Sequence, residues 1–181
     1  MPAANTMEQD VDQGVEQAVR QAMKQAMARV PGPVTIVTTV DAQGEPWGFT
    51  ASSFCSLSMD PPLLLVCLDK GSASSPAFQE ADSFLVNVLA EDQAGPALSF
   101  GRAHGPGKFA DSGMEPCEGG LPGLPAAAAR LSCRRHAVLD GGDHSILVGR
   151  VVDVSVEQRT PLVYWDRRFA SPLPHSPVGA G

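Results

Sequence analysis

The sequence predicts a mainly β fold, an antiparallel barrel with peripheral helices, on three observations. From Val34 onward short β-branched runs recur at 34–40, 46–57, 62–68, 83–89, 129–139 and 144–156. Turn clusters such as Asp41–Gly44 and Asp140–Gly142 separate them at hairpin spacing. Helical periodicity is confined to the N-terminal stretch and two short connections.

Taken in order, residues 8–29 place Val11, Val15, Val19, Ala22, Met23 and Ala26 at helical intervals among glutamines and charges. Such an amphipathic helix is expected to cover one open side of the sheet, or a subunit boundary. Pro31-Gly32-Pro33 stops it, because proline removes a backbone donor and drives the preceding residue out of the helical region. The stretch Ser72–Asp82 reads as a short helix with Ser75 as N-cap and Pro76 at the first helical position. Residues 90–100 suggest a second helix, weakened by Gly95-Pro96. The Gly- and Pro-rich segment 101–125 is too long for a simple connection and is expected to be a surface excursion or a lid. Residues 8–170 are expected to form one domain, with mobile ends at 1–7 and 171–181.

Composition narrows the function. With 13 Lys and Arg against 20 Asp and Glu the formal charge is −7, dispersed along the chain, so neither nucleic acid nor anionic lipid meets a basic patch. No apolar run reaches the roughly 20 residues a membrane span needs, and the N-terminus lacks a signal-peptide pattern, so a cytoplasmic location is expected. Cys55, Cys67, Cys117 and Cys133 form no Cys-x-x-Cys pair, and Cys133 and His136 would point to opposite faces of a strand. No metal site is expected. There is no Gly-x-Gly-x-x-Gly after a strand and no Gly-x-Ser-x-Gly, which removes a Rossmann site and the common serine-hydrolase arrangement.

The chemistry concentrates in Gly48-Phe-Thr-Ala-Ser-Ser-Phe-Cys-Ser-Leu-Ser-Met-Asp-Pro-Pro62, which carries more hydroxyls than a buried strand needs. Together with Gly142-Asp143-His144, this run resembles the flavin reductase-like family, from about Ala26 to about Phe169. The resemblance implies an FMN-binding split β-barrel of Greek-key type. It also implies an NAD(P)H:flavin oxidoreductase that passes hydride from NADH or NADPH to N5 of FMN or FAD. Reduced flavin would then go to a partner monooxygenase, and a homodimer is implied. The alternative is a flavin-binding carrier or subunit without reductase activity.

A flavin pocket needs exposed amides, small hydroxyls and an anion site. Thr50, Ser52, Ser53 and Ser56 offer hydroxyls, Gly48 permits close backbone approach, and Phe54 or Trp47 could wall the ring. On residues alone, a strand whose hydroxyls face water remains open. By resemblance, Gly48, Phe49, Thr50, Ser52, Ser53 and Phe54 would meet the flavin. So would the strand end Cys67, Leu68 and Asp69, then Lys70, Ser72 and Ser74, with Ser99 and Phe100 completing the set. The amides of Ser72–Ser75 and the charge of Lys70 would favour the phosphate. His144 would lie near the nicotinamide, with Tyr164 and Arg167 as further donor-binding residues, and no side-chain acid or base is expected to be essential.

The sequence also departs from the family pattern. Relatives often have arginine near Ala73 or Ser74 and at Ser99, so phosphate binding would here be weaker or depend on other residues such as Lys70 and Arg102. Asp166 stands where arginine is common, Arg167 where glycine is, Phe169 where tyrosine is, and Pro33 where glycine is, so either Arg167 takes over the donor contact from one position away or nicotinamide binding is altered or lost.

Overall fold

The computed structural model describes residues 3–102 and 105–172; of residues 3–12, 102 and 106 only the backbone is described. Helix α1 spans Ala3–Met27, followed by β1 at Gly32–Pro33, β2 at Thr35–Val40, β3 at Pro46–Ala51, β4 at Phe54–Met59 and β5 at Pro62–Asp69. Helix α2 at Ser75–Glu80 precedes β6 at Ser83–Val88, and α3 follows at Ala94–Arg102. The long connection holds β7 at Glu115–Pro116 and β8 at Pro122–Gly123. Then come β9 at Ala129–Gly141, β10 at His144–Val156, β11 at Val163–Trp165 and β12 at Arg168–Ala170.

Seven strands form one antiparallel sheet in the order β3-β2-β6-β9-β10-β5-β4. Strands β3 and β4 stand at its opposite edges, yet only Ser52 and Ser53 join them. Laid flat, six strand spacings would separate these edges by about 29 Å. The three Cα steps of the link reach about 11 Å. The sheet therefore curls until its edges meet, which makes a split barrel. The expected single strand 46–57 is in fact two, broken where the chain crosses this seam.

The long hairpin of β9 and β10 carries much of the curvature. Register shifts between Val148 and Gly149 and between Val151 and Asp153 bend it. A Cβ on Gly149 would sit 2.5 Å from Phe84 Cζ and 2.7 Å from Cys133 Cβ, so only glycine lets the bend close on that ring. Strand β2 is buried on both faces. Val37 joins Phe49, Leu68, Phe84 and Leu147 inside the barrel, while Val34 and Ile36 pack outward with Leu89, Phe100, Leu124 and Leu162.

Its threonines are buried as well, and each hydroxyl is satisfied. Thr35 Oγ1 donates to the Ala51 carbonyl at 2.8 Å, Thr38 Oγ1 to that of Pro122 at 2.5 Å, and Thr39 Oγ1 to that of Ser83 at 2.7 Å. Asn87, fully buried on β6, donates to the Ile36 carbonyl at 3.0 Å and accepts the Leu124 amide at 2.9 Å. Since an unpaired buried polar group costs about 1–3 kcal/mol, these bonds make the pairing of β2 specific.

Three further expectations are revised. Helix α1 does not cover the sheet within one chain, which leaves the subunit boundary: Val15, Val19, Met23 and Met27 stay exposed, and among the described residues the end of the helix meets the body, where the Ala28 carbonyl accepts the Asp166 amide. The N-cap of α2 is Ser74 rather than Ser75, with proline still in the first turn. The helix expected at 90–100 is shifted to Ala94–Arg102, placing Gly95-Pro96 in its first turn, where a missing N–H costs no helical bond. Helix α1 already runs from Ala3, whereas residues 1–2 and most of the expected mobile tail lie outside the described residues. No helix among the described residues is long and apolar enough to cross a membrane.

The segment 101–125 packs more tightly than an open excursion. Leu121 and Leu124 are buried, and Glu118 is gripped by Arg130, whose Nε lies 2.9 Å from Oε2 and whose Nη2 lies 3.0 Å from Oε1. Both side chains are only 13% exposed. The Arg130 bonds hold the Glu118 carboxyl below the ordinary glutamate range. Its contribution is therefore complete above that range and disappears as pH falls through the lowered value. Glu118→Gln should cost about 3 kcal/mol at neutral pH, because it leaves a half-paired guanidinium. Denaturant titrations should also show a weaker acid-side loss of stability in the variant than in the parent.

Candidate active site at the barrel seam

The crossing at Ser52–Ser53 opens a cleft of about 550 Å³. One wall is the end of β3 and the crossing itself, Phe49–Ser53; the other is the end of β5, Cys67–Asp69, with the turn Gly71–Ser74. Phe100 and Gly101 at the end of α3, Gly105, Lys108 and His144 complete the lining.

Local bonds hold this shape. Ser53 Oγ donates to the Cys67 carbonyl and accepts the Cys67 amide, both at 3.2 Å, which ties the crossing to β5. Asp69 Oδ1 accepts the Gly71 amide at 2.7 Å, and Ser74 Oγ donates to the Gly48 carbonyl at 2.8 Å, stapling the turn back onto β3. Thr50 Oγ1 donates to the Ala97 carbonyl at 3.1 Å and so anchors α3 over the cleft. Phe49 meets Phe78 edge-on at 5.0 Å beneath this wall. Among the polar groups of the lining that have no partner among the described residues are the Ser52 hydroxyl and the Ala73 amide.

The predicted residues divide accordingly. Phe49, Thr50, Ser52, Ser53, Cys67, Leu68, Asp69, Ser72, Ser74, Phe100 and His144 all line the cleft, although the hydroxyls of Thr50, Ser53 and Ser74 already serve the fold. Gly48 lies outside the lining. A Cβ there would sit 2.9 Å from the Val37 carbonyl oxygen and 3.2 Å from the rings of Phe100 and Phe109, so this glycine admits α3 and its following loop rather than a ligand.

Trp47 and Ser99 also lie outside the lining. Trp47 donates from Nε1 to Asp41 Oδ2 at 2.8 Å, while Phe54 lines a neighbouring pocket. The expected free amides before α2 are mostly occupied: those of Ser72, Ser74 and Ser75 bond within the turn. Lys70 is turned away, pairing with Asp140 and donating to the Gly142 carbonyl at 2.6 Å. The side chain of Arg102 lies outside the described residues. No group of three or more His, Cys, Asp or Glu could hold a metal among the described residues.

Sequence reasoning missed Lys108. It reaches the cleft from a single 3₁₀ turn at Pro106–Phe109, with Nζ 5.2 Å from the centroid of the Phe100 ring and no acid paired to it among the described residues. Burial pushes its ammonium below the ordinary lysine range. Its only sequence signal was a lysine inside a segment read as a lid.

His144 starts β10 directly opposite Asp69, so the β5–β10 register itself places it at the rim. Its Nδ1 lies 2.7 Å from Asp143 Oδ1, and this bond holds the Asp143 carboxyl below the ordinary range. With Nδ1 engaged as donor, the free ring nitrogen of neutral His144 is Nε2, an acceptor.

Beside the cleft, and sharing Ser52 and Ser53 with it, lies a second pocket of about 700 Å³. Lys24, Met27 and Ala28 of the α1 end, Val30–Pro33, Phe54, Tyr164 and Arg167 form its other walls. The two clefts meet at the crossing.

Comparison with known proteins fits this geometry. A sequence model of the flavin reductase like domain matches residues 27–172. The chain is 46% identical over 145 residues to actinorhodin polyketide dimerase of Streptomyces coelicolor, covering 80% of this chain and 81% of that one. It is 38% identical over 148 residues to the reductase subunit HsaB of a flavin-dependent monooxygenase from Rhodococcus jostii, covering 81% and 75%. The solved structure of the NADH:FAD oxidoreductase SgcE6 of Streptomyces globisporus, in complex with NAD and FAD fragments, superposes with a TM-score of 0.78 at 30% identity, covering 88% and 94%. With the family domain matched over most of its length and the same split barrel in a solved relative, this chain belongs to the flavin reductase-like family.

Proposed function

We propose that this protein is an NADH-dependent flavin reductase that takes FMN or FAD in the seam cleft and supplies reduced flavin to a partner monooxygenase. The observation that carries this reading is the cleft itself: apolar surface from Phe49, Leu68 and Phe100, hydroxyl and amide donors along one edge, and a single half-buried cation. A flat ring with a polar edge and an anionic tail matches that donor set, and the volume lies within the range of small-molecule sites.

Each group has a task under this reading. The Ser52 hydroxyl bonds the polar part of the flavin, while Lys108 and the Ala73 amide hold its phosphate. His144 Nε2 accepts a hydrogen bond from the carboxamide of the nicotinamide, with Asp143 fixing the tautomer. Tyr164 and Arg167 bind the remainder of the donor. When bound, flavin would supply the two-electron acceptor for hydride from the nicotinamide, and the proton that completes its reduction would come from solvent at the open cleft. Binding and alignment are the protein's contribution.

A second copy completes the assembly under this proposal. Val15, Val19, Met23 and Met27 recur every four residues on one exposed stripe of α1, and Val152, Val154 and Val156 expose a second apolar face on β10. Covering such faces is the usual basis of a symmetric dimer. Sedimentation should show a dimer that Val19→Asp combined with Met23→Asp disrupts; a monomeric parent with full activity would reject it.

Steady-state oxidation of NADH with FMN or FAD tests the activity. His144→Ala should raise the NADH KM about tenfold, the worth of one good hydrogen bond near a reacting group, while leaving flavin affinity within about twofold. Lys108→Met should do the reverse, weakening flavin binding about tenfold. Because burial lowers the Lys108 ammonium pKa, flavin affinity should begin to fall on the alkaline side before an ordinary lysine would titrate. That limb should be missing in Lys108→Met, as followed by flavin fluorescence titration.

A further inference from the structure

Two walls of the seam cleft are registered on one residue, Gly48, which itself stays outside the lining. From one side the Gly48 carbonyl accepts the Ser74 hydroxyl at 2.8 Å, which fixes the turn that presents the Ala73 amide. From the other side two rings take the space a Gly48 Cβ would need, with Phe100 Cε1 and Phe109 Cζ each 3.2 Å from that position. The rings meet each other edge-on at 5.0 Å. Phe109 directly follows Lys108 and ends the 3₁₀ turn Pro106–Phe109 that carries the ammonium into the cleft.

Among the described residues few bonds hold that turn. It spans four residues and starts from Gly105, whose φ of 74° and ψ of −175° suit only glycine. The Ala110 amide closes it on the Gly107 carbonyl at 3.3 Å, and such a short 3₁₀ turn does not fix a side chain by itself. Beyond it the Phe109 carbonyl accepts the Ser112 hydroxyl at 2.8 Å and the Ser112 amide at 3.3 Å. Lysine has a flexible four-carbon stem, so ordering it on an anion costs entropy unless its starting point and path are already set. The Phe109 ring in the Gly48 notch sets the starting point. Phe100, with Lys108 Nζ 5.2 Å from its centroid, is the surface along which the stem lies.

We infer that Phe109 is a positioning residue for flavin binding: its ring, seated between Gly48 and Phe100, holds Lys108 in register with the Ala73 amide so that both meet one phosphate. The inference rests on the reductase reading for the identity of the anion, and on the assignment of Lys108 to the flavin phosphate. Phe109 lies outside the cleft lining, so affinity for phosphorylated flavins depends on a ring that touches no ligand. Riboflavin, which has no phosphate, is indifferent to it.

Fluorescence titration of the full chain with FMN and with riboflavin tests this. The parent should bind FMN about tenfold more tightly than riboflavin, the worth of one charge-assisted contact. Phe109→Leu should weaken FMN binding about three- to tenfold and leave riboflavin within about twofold. Ser112→Ala, which removes only the hydroxyl on the Phe109 carbonyl, should weaken FMN selectively by about two- to threefold, and decides the matter where the leucine variant does not fold. Adding Phe109→Leu to Lys108→Met should weaken FMN no further, because both act through one ammonium.

The pH profile separates positioning from general support. Besides Lys108, the titratable side chains of the lining are Cys67, Asp69 and His144, with Asp111 just beyond the turn, and burial alone lowers the Lys108 ammonium. Freed from the rings, that ammonium regains water, so the alkaline fall in FMN affinity should move to higher pH in Phe109→Leu. Equal losses for FMN and riboflavin, additive losses in the double variant, or FMN affinity unchanged in both single variants overturns the inference alone. A parent that binds FMN no more tightly than riboflavin overturns the phosphate assignment and the inference with it. A parent that does not oxidise NADH with either flavin overturns the reductase reading instead, while the two flavin affinities still decide the role of Phe109.

Discussion

A link of two residues between opposite sheet edges governs this structure. Ser52 and Ser53 must carry the chain from β3 to β4, and no flat sheet of seven strands allows so short a crossing. Closure follows, and so does an opening, because residues inside the crossing cannot occupy a regular ladder position. Ser53 recovers part of that loss by bonding both backbone groups of Cys67 through its hydroxyl. Ser52 is left exposed, with one face toward each cleft. The same constraint that closes the barrel thus places Ser52 and Ser53 in the lining of both clefts.

Closure needs a fixed register, and β2 supplies it with polar groups in a position where apolar side chains would pack equally well. A strand buried on both faces commonly reads as a continuous apolar run. Here Thr35, Thr38 and Thr39 alternate with Ile36 and Val37, and each hydroxyl reaches a carbonyl of another element. Slippage by one residue would turn every side chain to the other face and leave several buried hydroxyls unpaired. Asn87 adds a crosslink to the Leu124 amide, so the long connection is registered on the same strands. The walls of the cleft inherit their precision from these bonds, since Phe49 and Thr50 lie on the strand paired with β2.

Periodicity made the strands and the N-terminal helix legible, because alternation and four-residue spacing survive in any tertiary context. The break after Ala51 was not legible: Ser52 and Ser53 fit a strand as well as a crossing, and only the partners of β3 and β4 distinguish the two. The cations were misjudged for a similar reason. Lys70 follows β5 directly and looked like the charge nearest the cleft, but the β9–β10 hairpin folds over it and supplies Asp140 and the Gly142 carbonyl. Lys108 lies far along the chain in an irregular segment, and tertiary packing against Phe100 is what brings it in. His144 was placed by the resemblance carried by Gly142-Asp143-His144 rather than by the residues alone, and the β5–β10 register sets it opposite Asp69.

Charge placement resolves an apparent conflict between a net negative chain and anionic ligands. At physiological salt the Debye length is about 8 Å, so acids dispersed over the remote surface are screened while charges inside a cleft act on what enters it. The paired cations, Arg130 with Glu118 and Arg159 with Asp92, hold connections together and offer little field. Lys24, Arg167 and Lys108 line the two clefts and have no salt-bridge partner among the described residues. Asp69, the acid within the seam cleft, accepts the Gly71 amide through one of its oxygens. Burial leaves the Lys108 ammonium less screened by water than the surface charges, and its desolvation lowers its pKa.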